Sequence, residues 1–206
     1  MLNKKGAMFG LDTRIALAIF GALSVISGAA LYSAIQQANA TKLFVTSQEA
    51  AKAMEAYYLD TGSQVPNQSG ANRIYIGNIT KNFANNDYWN GPYFGNDIYN
   101  NQNSIYLNNF VKGEQNEELN AYSLSTSDWT GTVLTDATTK GCSAGDCSAY
   151  LQSTSNTSTY SKVLSSYNLL DQNIDNGDGP IKGKIRATEA VANTIRLYIQ
   201  LTPYKE

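Results

Sequence analysis

Apolar and polar positions along the chain fall into three regimes. From Ile15 to Ile35 (IALAIFGALSVISGAALYSAI) there is no charge in 21 residues. As a helix rising 1.5 Å per residue this stretch is about 31 Å long, which matches the hydrocarbon core of a bilayer. From Gln36 to Asp60 no Pro or Gly intervenes, and Leu43, Ala50, Met54 and Tyr57 recur at sevens and fours. That stripe predicts a helix continuing past the apolar run, with one face made for a sheet to pack on. Gly62, after Asp60 and Thr61, is the expected stop. Beyond it come shorter runs of strand character: Arg73–Ile79, Ser104–Val111, Ala121–Ser125 and Trp129–Leu134. Near the C-terminus, Val163, Leu164, Tyr167, Leu170 and Ile174 give Ser161–Ile174 helical spacing, and TIRLYIQL reads as a closing strand. The expected class is α+β.

Composition narrows the functional classes. About sixty of the 206 residues go to the N-terminal segment and its helix, leaving roughly one domain's worth of chain. Residues 62–160 are rich in Asn, Ser, Thr, Tyr and Gly, which suits a turn-rich β domain or a partly ordered, loop-rich segment. Fourteen Tyr and two Trp favour the folded reading, because they supply apolar area that disordered chains lack. A net charge of −2 gives no electrostatic case for nucleic acid as a partner. The absence of histidine excludes Ser-His-Asp and Cys-His nucleophiles and His-ligated zinc. Asp87, Asp97, Glu117 and Asp128 are scattered with no frame for acid–base work, so an enzyme is not expected. Cys142 and Cys147 in GCSAGDC cannot complete a zinc site alone. In an exported domain they read as a disulfide around a small loop turned by Gly141, Gly145 and Asp146. Reduced thiols in a cytoplasmic protein are the alternative, which the membrane segment argues against.

The N-terminus admits three readings. Lys4 and Lys5 precede the apolar run, so the positive-inside rule keeps that end cytoplasmic and exports everything after Gln36. Ala38-Asn39-Ala40 fits a signal-peptidase site that would release a chain starting at Thr41. However, the run exceeds the usual apolar core of about 7–15 residues, and Asp12 and Arg14 interrupt its approach. A plain uncleaved anchor leaves the GAMFGLD sequence unexplained.

The third reading rests on KKGA-MFGLD-TRIALAIFGALSVISGAALY, which resembles the N-terminus of type IV pilins and type II secretion pseudopilins. These carry a short basic leader ending in a small residue. A hydrophobic residue opens the mature chain, an acid stands fifth, and a glycine lies about two turns further on. A cut after Ala7 makes Met8 first and Asp12 fifth, and puts Gly21 at the helix glycine; cutting after Gly6 or Gly10 puts Leu11 or Ile15 fifth and loses the acid. The segment AMEAYYLDTGSQVP resembles the helix exit of pseudopilins, and Tyr88-Trp89-Asn90-Gly91-Pro92-Tyr93 their aromatic Gly-Pro segments. Core packing around a Gly-Pro turn is favoured there over a binding platform. The tail IDNGDGPIKGKIRATEA is similar to that of many bacterial prepilin-like proteins, so the likeness brackets the chain and leaves its middle uncovered.

The resemblance implies a pilin-like fold with a long N-terminal helix on an antiparallel sheet, divided as leader 1–7, helix 8–61 and extracytoplasmic domain 62–206. It implies cleavage by a prepilin peptidase, with methylation of Met8, and self-assembly into a pilus from the inner membrane on an assembly platform. A periplasmic pseudopilus of a type II secretion system is the near-equal variant; a membrane-tethered adhesin or glycan-binding domain is the alternative from another class. It also gives Asp12 a role, which is to pair with the new α-amino group of a neighbouring subunit. A charge buried without such a partner costs several kcal/mol. Asp is shorter than the family's usual Glu. Arg14 cannot face Asp12 at a spacing of two; it reads first as an interfacial snorkelling residue, the alternative being an assembly role in which it pairs with Asp12 of another subunit or with a lipid phosphate. The family's membrane-half proline is absent, which leaves Gly21 and Gly28 as the places where the helix loosens.

No cofactor is expected. In the tail loop Asp171, Asn173, Asp175 and Asp178 offer oxygen donors, but Asn176 stands where an EF-hand needs Gly and Lys182 where it needs Glu. A helix end turning through Gly177 and Gly179 into Pro180 is the favoured reading, and calcium on Asp175 and Asp178 is the weaker one.

Overall fold

Helix α1 runs unbroken over Lys5–Thr61, 57 residues. No proline occurs in it, and its few glycines cost about 1 kcal/mol each without stopping it. The computed structural model describes residues 5–69, 71–95, 102–107, 117–129, 142, 146–191 and 194–204, the side chains of 5–9, 11, 106, 107, 117, 190 and 191 excepted. Two units divide the chain, Met1–Ala38 and Asn39–Glu206. In the first, every side chain from Asp12 to Ile35 is exposed, including Leu17, Phe20, Val25 and Leu31. The helix is long and apolar enough to cross a membrane.

The second unit takes in the remainder of α1 and an antiparallel sheet of six strands. These are β1 (Arg73–Ile74), β2 (Ser104–Leu107), β3 (Glu117–Ser125), β4 (Cys147–Thr154), β5 (Ile185–Val191) and β6 (Thr194–Pro203), with helix α2 (Tyr160–Ile174) between β4 and β5. Their order is β1-β3-β4-β6-β5, and β2 also pairs with β3. β3 sets Ala121 opposite Leu151 of β4, which sits opposite Ile199 of β6. One row of apolar side chains therefore crosses three strands.

Both faces of this sheet are covered. On one, Leu119, Ala121, Leu151, Ile185, Leu197 and Ile199 share a core with Leu43, Ala50, Met54 and Tyr57 of α1 and Val163, Tyr167 and Leu170 of α2. The stripe expected on α1 is thus its buried face. Burying each of its larger members stabilises by about 1.5–3 kcal/mol. On the other face Leu124, Trp129, Tyr150 and Tyr198 form a smaller cluster. The alternation of side chains puts Tyr150 and Tyr198 opposite their neighbours Leu151 and Leu197. α1 ends as its sequence predicts: Gly62 takes a left-handed φ of 67° and its N–H donates to the Tyr58 carbonyl at 2.9 Å.

Other segments differ from expectation. Arg73–Ile79 is a strand for two residues only, and Ile76–Ile79 forms a 3-10 turn. Asn78 accounts for the change: its Nδ2 donates to the Tyr75 carbonyl and its Oδ1 accepts from the Ala84 N–H, so local bonds replace a ladder. Trp129 is no strand residue. It folds back under the sheet, its N–H on the Ile181 carbonyl and its Nε1 on that of Ser125. Residues 130–134, the end of the Ser104–Val111 run, and Asp97, Gly141 and Gly145 lie outside the described residues.

Candidate functional site

The residues singled out in the sequence lie in two places, one in each unit. At the N-terminal end, Ala7 and Met8 are on the helical backbone of α1, their side chains outside the described set. Asp12 and Arg14 are exposed, two residues apart on one helix, and so point in different directions. Gly10, Gly21 and Gly28 each face open space, with nothing within 4 Å of where a Cβ would sit. Packing inside the chain therefore does not require glycine at these positions. Gly21 and Gly28, seven apart, fall on one side of the helix.

The second place is the corner between α2 and β5. The carbonyl of Asp171, in the last turn of α2, accepts from the N–H groups of Asp175 at 2.9 Å and Gly177 at 3.1 Å. The chain then turns through Asn176, Gly177, Gly179 and Gly183, all with positive φ. Asp175 closes the turn, its Oδ2 accepting from the N–H groups of Lys184 and Ile185, both at 2.7 Å. A Cβ on Gly183 would strike the carboxyls of Asp175 and Asp178. Only glycine fits there. Asp171, Asp175 and Asp178 consequently converge, one oxygen of each lying within 4.8 Å of the others.

Electrostatics at this corner are those of crowded acids. The Asp178 carboxyl is held above its usual range by desolvation and then by the charges of Asp175 and Asp171, with Lys182 opposing. Burial pushes the Tyr167 hydroxyl up, and the charge of Asp171 adds to it. Sequence reasoning named Asp175 and Asp178 as the weak calcium candidates. Asp171, the buried member, was read as an oxygen donor but not as part of such a pair.

Arg186 was missed altogether. It is buried, and its Nε donates to the Gly183 carbonyl at 2.9 Å, Nη1 to that of Ser127 at 2.9 Å and Nη2 to that of Thr126 at 2.7 Å. Its guanidinium carbon lies 4.8 Å over the Trp129 ring and 5.6 Å over Tyr150. This one side chain therefore binds the acidic turn to the loop after β3. The available signal was a lone Arg between Ile185 and Ala187, where strand alternation puts it on the far face.

Within the aromatic Gly-Pro segment Trp89 and Tyr93 are half-buried and pack inward, while Tyr88 is exposed. The Tyr93 hydroxyl donates to Asp60 at 2.9 Å, Trp89 Nε1 donates to the Asn78 carbonyl at 2.8 Å, and the Tyr93 ring meets Tyr57 edge-on at 5.9 Å. It fixes the exit of α1 to the domain. Cys142 and Cys147 are joined as a disulfide, their Cα atoms 5.5 Å apart, at the start of β4. Compared with protein families, curated proteins and solved structures, the chain matches none.

Proposed function

We propose that this chain is a prepilin-like structural subunit. It is inserted in the inner membrane by the apolar part of α1, cut after Ala7 by a prepilin peptidase, and polymerised through that helix with the β-rich domain outside. The observation that carries the reading is the conjunction at the N-terminus: one cleavage frame places Asp12 fifth and Gly21 in register, on a helix exposed from Asp12 to Ile35. So apolar a surface needs lipid first and other helices afterwards. Gly21 and Gly28, unexplained by contacts in the chain, let a neighbouring helix approach closely. Asp12 would meet the new α-amino group of a neighbour, which sets the stagger. A pilus and a type II secretion pseudopilus fit these features equally.

The test is Asp12→Ala, expressed with the peptidase and the assembly machinery. Processing should proceed, while incorporation into filaments should fall to background in sheared fractions. Filaments in normal amount from this variant would show that Asp12 is not the assembly acid and that the frame is wrong.

A further inference from the structure

Two Asn-Gly pairs occur in the chain, Asn90-Gly91 and Asn176-Gly177, and both asparagines are exposed. In such a pair the glycine backbone nitrogen, with no side chain to hinder it, can attack the carbonyl carbon of the asparagine side chain. A new C–N bond closes a five-membered imide. The side-chain amide leaves as ammonia, taking the proton of the backbone N–H. Water then opens the imide at either carbonyl. One opening gives aspartate; the other gives isoaspartate, whose main chain runs through the former side chain and is one carbon longer. The reaction needs no enzyme, but it does need a nitrogen free to turn towards the side chain.

The fold treats the two pairs differently. The Gly177 N–H is held by the Asp171 carbonyl at 3.1 Å, and Asn176 is fixed in the left-handed region with φ 58°. Ring closure turns the Asn176 Cα–C bond, so that hydrogen bond must break first. The convergent carboxyls of Asp171, Asp175 and Asp178 also oppose loss of a proton from the attacking nitrogen. At the other pair the Gly91 N–H meets no acceptor among the described residues, and Asn90 is not in the left-handed region. Packing nevertheless demands glycine at 91, since a Cβ there would lie 2.6 Å from Trp89 Cζ2. The turn thus keeps the residue that makes Asn90 reactive.

We propose that Asn90 is a site of spontaneous deamidation in the folded protein, that Asn176 is the shielded copy of the same dipeptide, and that conversion of Asn90 loosens the hold on the exit of α1. The Asn90 N–H donates to the Tyr93 hydroxyl at 2.8 Å, and that hydroxyl donates to Asp60 at 2.9 Å. Isoaspartate lengthens the chain between Asn90 N and Tyr93, and either product puts a new carboxylate in a turn already bonded to Asp60. The site is the same whatever the N-terminal helix assembles with.

The experiment incubates the full chain in detergent at mildly alkaline pH, folded and in denaturant. Both Asn-Gly peptides are then mapped by mass spectrometry, with isoaspartate and aspartate forms separated chromatographically. In denaturant the two asparagines should react at similar rates. In the folded protein Asn90 should stay within a few-fold of its denatured rate. Asn176 should slow roughly tenfold or more, because its reaction waits for the turn to open. Aged protein should melt below fresh protein, whereas Asn90→Gln, which closes a six-membered ring far more slowly, should keep its melting temperature with age. Asn90 slowed by folding as much as Asn176, or Asn176 reacting as fast folded as unfolded, would overturn the assignment of the two sites. An unchanged melting temperature at full conversion of Asn90 would overturn the loosening. Normal filaments from Asp12→Ala would leave both untouched.

Discussion

Arg186→Met removes the guanidinium that ties three segments together while keeping a side chain of similar length. Three hydrogen bonds of 2.7–2.9 Å to carbonyl oxygens are lost. Bonds from a charged donor contribute about 1.5–3 kcal/mol each, so their gross value is roughly 5–9 kcal/mol. Two effects offset this. Removing a buried cation that has no carboxylate partner among the described residues recovers part of its desolvation cost, several kcal/mol. Methionine also keeps apolar contact with Trp129 and Tyr150, whose rings lie 4.8 and 5.6 Å from the guanidinium carbon. The net loss should be about 3 kcal/mol, a fall in Tm of roughly 6–12 °C for a domain of this size. Arg186→Lys retains the charge but not the fork and should lose about 2 kcal/mol. Thermal melts of the full chain in detergent, followed by near-UV circular dichroism of Trp129 and its tyrosine neighbours, give both values. Arg186→Met within about 0.5 kcal/mol of wild type, the usual range of surface substitutions, would refute the reasoning. Full stability in Arg186→Lys would show that charge, and not the planar fork, is what the carbonyls need.

Two further outcomes follow from the packing. Gly91→Ala puts a Cβ 2.6 Å from Trp89 Cζ2 and 2.9 Å from the Tyr93 N. The backbone atom cannot yield, so denaturant unfolding should show a loss of about 1–3 kcal/mol. Tyr150, Tyr167 and Tyr198 hold their protons above the ordinary tyrosine value of 10.0, burial being the first cause in each. The unfolded chain therefore loses these protons first as pH climbs. Stability is undiminished below about pH 10 and falls above it. Tyrosinate absorbance should show a component that appears only with the loss of near-UV dichroism; simple titration of all tyrosines ahead of unfolding would contradict this.

The helices were legible because their signals are long. Leu43, Ala50, Met54 and Tyr57 repeat often enough to define a face, and Gly62 marks its end chemically as well as by pattern. The same holds for Val163, Tyr167 and Leu170 on α2. Strands β4 and β5 were not read, because CSAYLQST and IRATEAV are covered on both faces and so lack the simple alternation of a half-buried strand. In RIYIGNI alternation was present, yet Asn78 diverts the backbone after Ile74. At the acidic corner the glycines and Asp175 were visible in the sequence. Asp171 was read beside them as an oxygen donor, but that it is the buried member depends on where the last helical turn ends. Arg186 stayed hidden for a related reason: its partners, the carbonyls of Thr126 and Ser127, are some sixty residues away in the chain.

The central claim is that the N-terminus is a prepilin frame read from Ala7. Its most direct test is the intact mass and N-terminal peptide of the protein recovered from membranes of cells that contain a prepilin peptidase. The account predicts a mature chain that starts at Met8. A chain starting at Thr41, or one that keeps Met1, would contradict it.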